Sequence, residues 1–196
     1  PIDPVRVLTN VSSGKMGYAI ARAAREAGAG VTLVSGPTAL AAPRGVRRVD
    51  VMTARDMLDA VMAGVPDADI FVAVAAVADW RVKEVSASKL KKTDGGPPAL
   101  EFVQTPDILG TVAALPRPPY CVGFAAETED LARHATEKRA RKRVPLLVGN
   151  LAQDVLGRDD TTLVLYDDAG EHPLARLSKL AAARQLVAEI SRRAGS

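Results

Sequence analysis

The sequence has few aromatic residues and a single cysteine, and both scarcities narrow the class of protein it can encode. Aromatic residues make up 4% of the 196 residues, whereas 47% of the residues are hydrophobic. A core of this composition is built mainly from Ala, Val and Leu, which suits an α/β protein with buried parallel strands. Because Cys121 is the only cysteine, no intrachain disulfide can form, and a reducing cytoplasm fits.

Long apolar runs and a strong charge of one sign are also lacking. No run approaches the roughly 18 apolar residues that a membrane-spanning helix needs, and we find no signal peptide. The formal net charge is +3, from 26 basic and 23 acidic residues, which is too mild to demand a nucleic-acid partner. We expect a single cytoplasmic domain that binds neither membrane nor nucleic acid. The chain begins at Pro1, and we expect it to be a piece of something longer.

Strands and helices alternate along the chain, which predicts an α/β fold with a Rossmann-like, doubly wound, mainly parallel sheet and helices on both faces. Apolar residues recur at a helical period from Lys15 to Ala27, and the strand Val31–Gly36 follows. The apolar run within Asp69–Trp80 is typical of a strand buried on both faces. Residues 81–99 are charged, end in Gly-Gly-Pro-Pro and predict a mobile flap. Further strands are predicted at 46–51, 99–104, 120–124, 145–149 and 161–167, and further helices begin near residues 53, 106, 128 and 175.

The loop before the first helix contains Ser-Ser-Gly-Lys but matches neither of two known phosphate-binding fingerprints. Thr9 and Met16 stand where a Walker loop needs glycine and a hydroxyl residue, and Ser12 replaces the first glycine of the dinucleotide fingerprint. What remains is Ser12, Ser13 and Gly14 at a helix N-terminus, where free N–H groups and the helix dipole favour an anion. A plain cap by either serine explains the same residues equally well.

Seven motifs occur in one order over nearly the whole chain: PIDPVRVLTNVSSGKMGYAIARAAREAG, VTLVSGP, AAVADW, KLKK, TPDIL, VGFAAET and KRARKR. Together they resemble the phosphopantothenate–cysteine ligase (phosphopantothenoylcysteine synthetase) domain of the bacterial bifunctional coenzyme A biosynthesis flavoproteins. The resemblance implies that 4′-phosphopantothenate is joined to L-cysteine through an acyl-cytidylate made from CTP, with release of pyrophosphate and CMP. It also implies Mg²⁺, a homodimer with the flap near its interface, and fusion to an N-terminal flavin-dependent decarboxylase domain that carries the FMN. In the family a strand and a Gly-Gly-Thr loop precede PIDPVR, and this chain lacks them.

The resemblance also implies roles for residues at the motif positions. Asn10 would contact the acyl-cytidylate, and Lys89, the first lysine of the K-x-K-K motif on the flap, would reach the α-phosphate; both are expected to be catalytic. Asp79 would hold the divalent cation. The implied substrate-binding residues are Arg6, Asn10, Ser12, Ser13 and Gly14. The implied nucleotide-binding residues are Ala73, Val74, Ala75, Asp79, Lys89, Thr105, Pro106, Asp107, Ile108, Phe124, Lys138 and Lys142.

Each of these residues also has a purely structural explanation. Asn10 can hold its own turn, Asp79 can cap one, and Phe124 can belong to the core. Lys138 and Lys142, four residues apart, face the same side of a helix, which suits either an anion clamp or a solvated face. We expect Cys121 to be buried and inert. No zinc site is indicated at either histidine.

Two other functions remain open from the sequence. The first is a Rossmann-type NAD(P)-dependent oxidoreductase, against which the missing glycine fingerprint and ribose-binding acid argue. The second is a non-enzymatic nucleic-acid-binding protein that uses KLKK and KRARKR. The modest charge and the scarcity of aromatic residues for base stacking argue against that alternative.

Overall fold

The computed structural model describes residues 1–91, 98–127, 129–151 and 159–195. The helices of this part are α1 (Lys15–Glu26), α2 (Ala54–Gly64), α3 (Ile108–Ala113), α4 (Leu131–Lys142) and α5 (Lys179–Ala194). The strands are β1 (Thr32–Ser35), β2 (Arg47–Asp50), β3 (Ile70–Ala73), β4 (Trp80–Val82), β5 (Phe102–Gln104), β6 (Tyr120–Glu127), β7 (Leu146–Leu151), β8 (Asp160–Thr161), β9 (Val164–Asp167), β10 (Gly170–Pro173) and β11 (Leu177–Ser178).

The main sheet has five strands in the order β10-β9-β7-β6-β3. β3, β6 and β7 are parallel to one another, whereas β9 is antiparallel to β7 and β10 is antiparallel to β9. The sheet is therefore mixed, and the prediction of a mainly parallel sheet was wrong in this respect. The two-residue turn at Asp168 and Ala169 makes β10 antiparallel to β9, because so short a connection can join only antiparallel strands. The reversal of β9 against β7 has no comparable local cause.

A second, smaller sheet consists of the parallel pair β1 and β2. Among the described strands, β1 pairs only with β2, and β3 pairs only with β6. β3 thus lies at an edge of the main sheet, and Ile70 is 38% exposed. The strand predicted within Asp69–Trp80 is consequently shorter than expected and is not buried on both faces. Its polypeptide leaves the sheet after Ala73, and Trp80 already belongs to β4.

Helices cover both faces of the main sheet, as predicted. On one face α1 and α5 pack on β6, β7 and β9, and the core there includes Ile20, Ala23, Val122, Leu146, Val148, Leu165, Ala182, Leu186 and Ile190. On the other face α2, α3 and α4 cover Cys121, Ala125 and Leu147. Alternate residues of β7 therefore enter opposite halves of the core, as the pleat of a strand requires. Cys121 is buried as expected, and this burial raises the pKa of its thiol to about 11.

Some helix ends follow local sequence signals and others do not, since the last helix begins at Lys179 and not near residue 175. Thr53 and Asp56 form the predicted capping box of α2. The helix predicted to begin at Pro106 instead begins at Ile108, because Asp107 is its N-cap and accepts a hydrogen bond from Gly110 N–H. No helix in the described ranges combines the length and apolar character that crossing a membrane requires.

β4 and β5 form a two-stranded antiparallel ribbon that carries the ends of the predicted flap. Its register places Trp80 opposite Gln104 and Val82 opposite Phe102. Lys92 and the rest of 92–97 lie outside the described residues, and mobility of the flap stays a prediction. The stretch 86–90 is hydrogen-bonded to the N-terminal residues, through Ser86 N–H to Ile2 O at 3.1 Å among other contacts.

Candidate functional site

Asn10 lies where the loop before α1 meets the loop after β3. Its side-chain Nδ2 donates to the carbonyl oxygen of Ala76 at 3.2 Å, and the residue is otherwise exposed. Ala73 ends β3, and Val74 and Ala75 lead directly to Ala76. The structure thus brings Asn10 to the carboxyl end of β3, the side of a parallel sheet where ligands of α/β proteins bind. The contact fixes the carboxamide so that its oxygen points away from the Ala76 carbonyl.

The N-terminus of α1 has no side-chain cap. Its N-cap is Gly14, whose φ of 71° lies in the left-handed region that glycine tolerates. Ser12 and Ser13 are both exposed, and Ser13 Oγ makes only a long contact of 3.4 Å with Lys15 N–H. The plain-cap explanation of the two serines therefore finds little support in the geometry. The first turn of α1 keeps N–H groups that can face an anion.

Asp79 and the turn that begins α3 are joined by their main chains. Thr105 N–H donates to Asp79 O at 2.8 Å, and the Asp79 side chain is exposed beside this turn. Thr105 and Pro106 are partly buried. The side chain of Ile108 is 8% exposed and packs in the core, so only its main chain is placed to meet a ligand.

Two lysines of α4 face this turn and the end of β6. Lys138 Nζ donates to the carbonyl oxygen of Phe124 at 2.7 Å, and Lys142 forms an ion pair with Asp107. Phe124 is partly buried against the core on the α1 side of the sheet. The structure therefore brings four of the predicted nucleotide-binding residues together as two contact pairs, and the two lysines share a helix face as their spacing predicts.

The charged groups of this set shift one another's pKa values. Burial lowers the pKa of Lys138, as do the nearby positive charges of Lys142 and Arg141, while Glu127 and Asp79 oppose the shift. Burial acts to raise the pKa of Asp107, but hydrogen bonds from Lys142 and from Gly110 N–H outweigh it, so the pKa of that carboxyl is lowered. Asp107 is thereby held as an anion between α3 and α4.

Arg6 and Lys89 lie near each other in a different part of the molecular surface. The Arg6 guanidinium is held by the carboxylate of Asp3 and donates to Leu90 O at 2.9 Å. Lys89 is exposed and immediately precedes Leu90. No contact among the described residues joins Lys89 to the Lys138–Lys142 pair.

The described residues contain no group of three or more His, Cys, Asp or Glu side chains that could hold a metal ion. Asp79 supplies one exposed carboxylate, which fits Mg²⁺, because this ion is commonly held by one or two carboxylates together with substrate phosphates. His134 Nδ1 lies 3.5 Å from Glu127 Oε2, and His172 Nε2 lies 2.9 Å from Asp167 Oδ1. His134 Nε2 also lies 2.8 Å from Arg133 Nη2, whereas the buried His134 Nδ1 has no hydrogen-bond partner among the described residues.

Sequence reasoning did not single out three residues that the structure places in or beside the site: the Ala76 carbonyl that orients Asn10, Glu127 near Lys138, and the buried Asp3. Only Asp3 carries a local signal, because an aspartate two or three residues before free N–H groups often accepts hydrogen bonds from them. The other two become neighbours of the site only when distant segments meet.

Comparison with known proteins identifies the family. Residues 1–193 match the DNA/pantothenate metabolism flavoprotein C-terminal domain. A coenzyme A biosynthesis bifunctional protein CoaBC from Vibrio vulnificus is 44% identical over 194 residues, which are 96% of this chain and 48% of that protein. The chain thus spans about half the length of the curated relatives it matches.

Two solved structures share the fold. The crystal structure of the C-terminal domain of a CoaBC protein has a TM-score of 0.83 and 38% identity, covering 98% of this chain and 88% of that one. A Cab2 variant in complex with phosphopantothenate-cysteine has a TM-score of 0.81 at 16% identity, covering 100% of this chain and 82% of that one, a likeness of fold alone. By sequence and by fold, this chain belongs to the family of DNA/pantothenate metabolism flavoprotein C-terminal domains.

Proposed function

We propose that this chain is the phosphopantothenate–cysteine ligase domain of a coenzyme A biosynthesis enzyme. It joins 4′-phosphopantothenate to L-cysteine and uses CTP to activate the carboxylate. The relatives that name this pathway match almost the whole chain. The observation that carries the proposal is the meeting of Asp79, Asp107, Lys138 and Lys142 at one end of the sheet, close to the loop that carries Asn10.

This set of charges suits a nucleoside triphosphate. Lys138 and Lys142 supply two positive charges on one helix face, and Lys142 can exchange its ion pair with Asp107 for a phosphate. Asp79 would hold Mg²⁺, which would supply further neutralisation of phosphate charge. The partly buried Phe124 ring and the main chain of 105–108 would contact the base and ribose.

In the first step a carboxylate oxygen of 4′-phosphopantothenate attacks the α-phosphorus of CTP, and pyrophosphate leaves. Lys89 would approach the α-phosphate and offset the negative charge that develops on its oxygens. The product is an acyl-cytidylate, in which CMP is a good leaving group. The residues of the chain contribute alignment of two anions and charge stabilisation.

In the second step the amine of cysteine attacks the acyl carbon, loses a proton and expels CMP. Asn10 is suited to hold the acyl-cytidylate, because Ala76 O already accepts from its Nδ2 and its Oδ1 stays available as an acceptor. The N–H groups at the start of α1, beside Ser12, Ser13 and Gly14, would bind an anionic part of the substrate.

Binding and turnover separate this function from its rivals. In the full-length protein, calorimetry is expected to show tighter binding of CTP with Mg²⁺ than of ATP or NADP. Pyrophosphate release should require both CTP and 4′-phosphopantothenate. Preference for NADP without pyrophosphate release would indicate an oxidoreductase instead. Binding to DNA that weakens steeply with salt and is not displaced by CTP would indicate a nucleic-acid-binding protein.

Four features of the whole protein belong to the same proposal. A preceding strand and Gly-Gly-Thr loop would lie between β1 and β3, each of which has one edge without a partner among the described strands. A flavin-dependent decarboxylase domain would precede that strand, since relatives are about twice as long. The β4–β5 ribbon, with Trp80 and Phe102 about half exposed, would contact a second copy of the chain. The site of action would be the cytoplasm.

A further inference from the structure

Asp3 is a buried carboxylate in an otherwise exposed N-terminal segment. The residue is only 2% exposed, although Arg6 and most of the neighbouring residues are exposed. Its Oδ1 accepts from Val5 N–H at 2.8 Å and from Arg6 N–H at 2.9 Å. Its Oδ2 accepts from Arg6 Nε at 2.9 Å and from Leu90 N–H at 3.2 Å, and the Arg6 Nη2 group also donates to it. A buried charge is tolerated only when it is paired and hydrogen-bonded in this way.

The same pair holds both main-chain groups of Leu90. Its N–H donates to Asp3, and its carbonyl oxygen accepts from Arg6 Nη2 at 2.9 Å. Ser86 N–H donates to Ile2 O at 3.1 Å a few residues earlier. Two stretches of chain that are more than eighty positions apart are therefore fastened together, with the Asp3 carboxylate as the central acceptor.

These hydrogen bonds among Asp3, Arg6 and Leu90, which we call the clamp, join the two segments that carry the proposed catalytic residues. Asn10 follows Arg6 by four residues, and Lys89 immediately precedes Leu90. The side chain of Lys89 is exposed, and no ion pair involves it in the part of the chain that the structure describes. Its position is therefore set by the main chain, and the main chain is set by the clamp.

We propose that Asp3 is a positioning residue for the ligation: its carboxylate locks Arg6 to the main chain of Leu90 and so holds Lys89 beside the segment that carries Asn10. The role rests on the proposed function, and Asp3 itself does not touch a substrate. Arg6 then has a second role besides the proposed substrate binding, because its guanidinium donates to both Asp3 and Leu90 O. Loss of the clamp releases the main chain of Leu90 from the N-terminal segment, which lowers the fraction of molecules in which Lys89 reaches the α-phosphate.

The clamp can be tested without any substrate. Trypsin cleaves after Lys89, but Leu90 N–H and C=O must first be released from Asp3 and Arg6. In the full-length protein Asp3→Asn is expected to raise the initial rate of cleavage at Lys89–Leu90 by about tenfold, because a carboxamide turns an NH₂ donor towards groups that are themselves donors. Asp56→Asn, which alters another carboxylate bonded to backbone N–H at the start of α2, should leave this rate unchanged.

A second variant covers the case in which Asp3→Asn does not fold. Arg6→Lys keeps a positive charge near Asp3 but cannot bridge Asp3 and Leu90 O with one planar group. It too is expected to accelerate cleavage at Lys89–Leu90. Wild-type cleavage rates in folded Arg6→Lys and Asp3→Asn proteins would overturn the proposal.

A double variant connects the clamp to catalysis. Asp3→Asn is expected to lower kcat for pyrophosphate release by about tenfold while KM for CTP, which the α4 lysines would bind, stays unchanged. If Asp3 acts through Lys89, then Asp3→Asn combined with Lys89→Gln is no slower than Lys89→Gln alone. If the losses of the two single variants multiply in the double variant while the wild-type enzyme is active, the role of Asp3 is overturned but the proposed function is not. A wild-type enzyme that releases no pyrophosphate would overturn the proposed function and this role with it.

Discussion

Asn10 illustrates how one hydrogen bond sets the orientation of a side chain that we propose to be catalytic. Its Nδ2 already donates to Ala76 O, so the orientation of the carboxamide is set before any ligand arrives. Asn10→Ala removes the group that would hold the acyl-cytidylate but leaves Lys138 and Lys142 in place. We expect product formation to fall by about 100-fold, while the dissociation constant for CTP measured by calorimetry stays within a factor of two or so.

Two outcomes would separate the possible roles of Asn10. Wild-type turnover in Asn10→Ala would remove it from the site and return it to holding a turn. Asn10→Asp is the matched variant, because it keeps the shape but replaces the donor to Ala76 O with a second acceptor. It should lose activity in the same way without loss of side-chain volume.

Asp167 is a residue whose charge stabilises the fold far from this site. Burial acts to raise the pKa of its carboxyl, but hydrogen bonds from His172, from Ala169 N–H and from Arg193 lower the pKa to about 2. The folded-state pKa is below the unfolded value of about 3.9. The carboxylate therefore stabilises the fold above about pH 4, and this contribution is lost as the pH falls towards 2.

We expect Asp167→Asn to lower Tm at pH 7 by about 4–8 °C, equivalent to about 2 kcal/mol for hydrogen bonds to a charged group. Scanning calorimetry should find that the difference from wild type shrinks as the pH is lowered through 4 towards 2. Asp59→Asn, an exposed aspartate on α2, serves as the control and should change Tm little at either pH. A difference that is independent of pH would mean that the charge of Asp167 is not what matters.

At the scale of elements, Gly123 marks the place where β6 passes closest to its neighbours. A Cβ atom at this position would lie 2.7 Å from Leu109 Cδ2 and 2.8 Å from Leu147 Cδ1. Leu147 is fully buried, so it has little room to move. Gly123→Ala is expected to lower the free energy of unfolding by about 1–3 kcal/mol through overpacking, measured by urea denaturation.

The chain offers a matched control for this substitution. Nothing lies within 4 Å of a Cβ atom built on Gly30, which is exposed after α1. Gly30→Ala should therefore leave the unfolding free energy within about 0.5 kcal/mol of wild type. Equal effects of the two substitutions would contradict the close packing of β6 between α3 and β7.

The β4–β5 ribbon is the second element whose behaviour can be predicted. Across-strand partners and alternate residues share a face, so Trp80 and Phe102 lie diagonally on one face, 54% and 47% exposed. If the proposed homodimer forms through this ribbon, Trp80→Ser together with Phe102→Ser should convert it into a monomer, as measured by light scattering after gel filtration. Met52→Ser changes another exposed apolar residue outside the ribbon and should leave the dimer intact. A dimer that survives the ribbon variant would place the interface elsewhere.

At the scale of the whole molecule, the unpaired edges of β1 and β3 are where the preceding strand of the proposed full-length protein would pair. Each strand has a hydrogen-bonded neighbour on one side only among the described strands. A strand inserted between them would turn two sheets into one and satisfy main-chain groups on both edges. In the full-length protein, hydrogen exchange at alternate amides of β3 should therefore slow relative to residues 1–196 alone.

The β9–β10 hairpin supplies the internal reference, because both its strands belong to the far side of the main sheet. Its protection should change much less than that of β3. Each added main-chain hydrogen bond contributes about 1 kcal/mol, so Tm should rise as well. Unchanged exchange in β3 would mean that the preceding segment docks elsewhere.

Much of the fold could be predicted from the sequence because its signals are local. The helical period of Lys15–Ala27 and the capping box at Thr53 depend only on residues a turn apart, and both are found in the structure. The order of seven motifs likewise indicated the family that the comparison with known proteins confirms. The start of α3 was predicted at Pro106, two residues too early, because proline and aspartate both favour a helix start.

The tertiary structure alone decided which residues meet. Nothing local to β3 reveals that it lies at an edge, and nothing local to β9 reveals that it runs against β7. The pairing of Lys142 with Asp107, the donation of Lys138 to Phe124 O, and the Asp3–Arg6–Leu90 clamp join positions 14 to 87 residues apart. The sequence by itself determined the types of elements and the chemical groups they carry, because propensity and periodicity act over a few residues. Which groups share a site depended on packing, because burial of apolar surface brings distant segments together irrespective of their order along the chain.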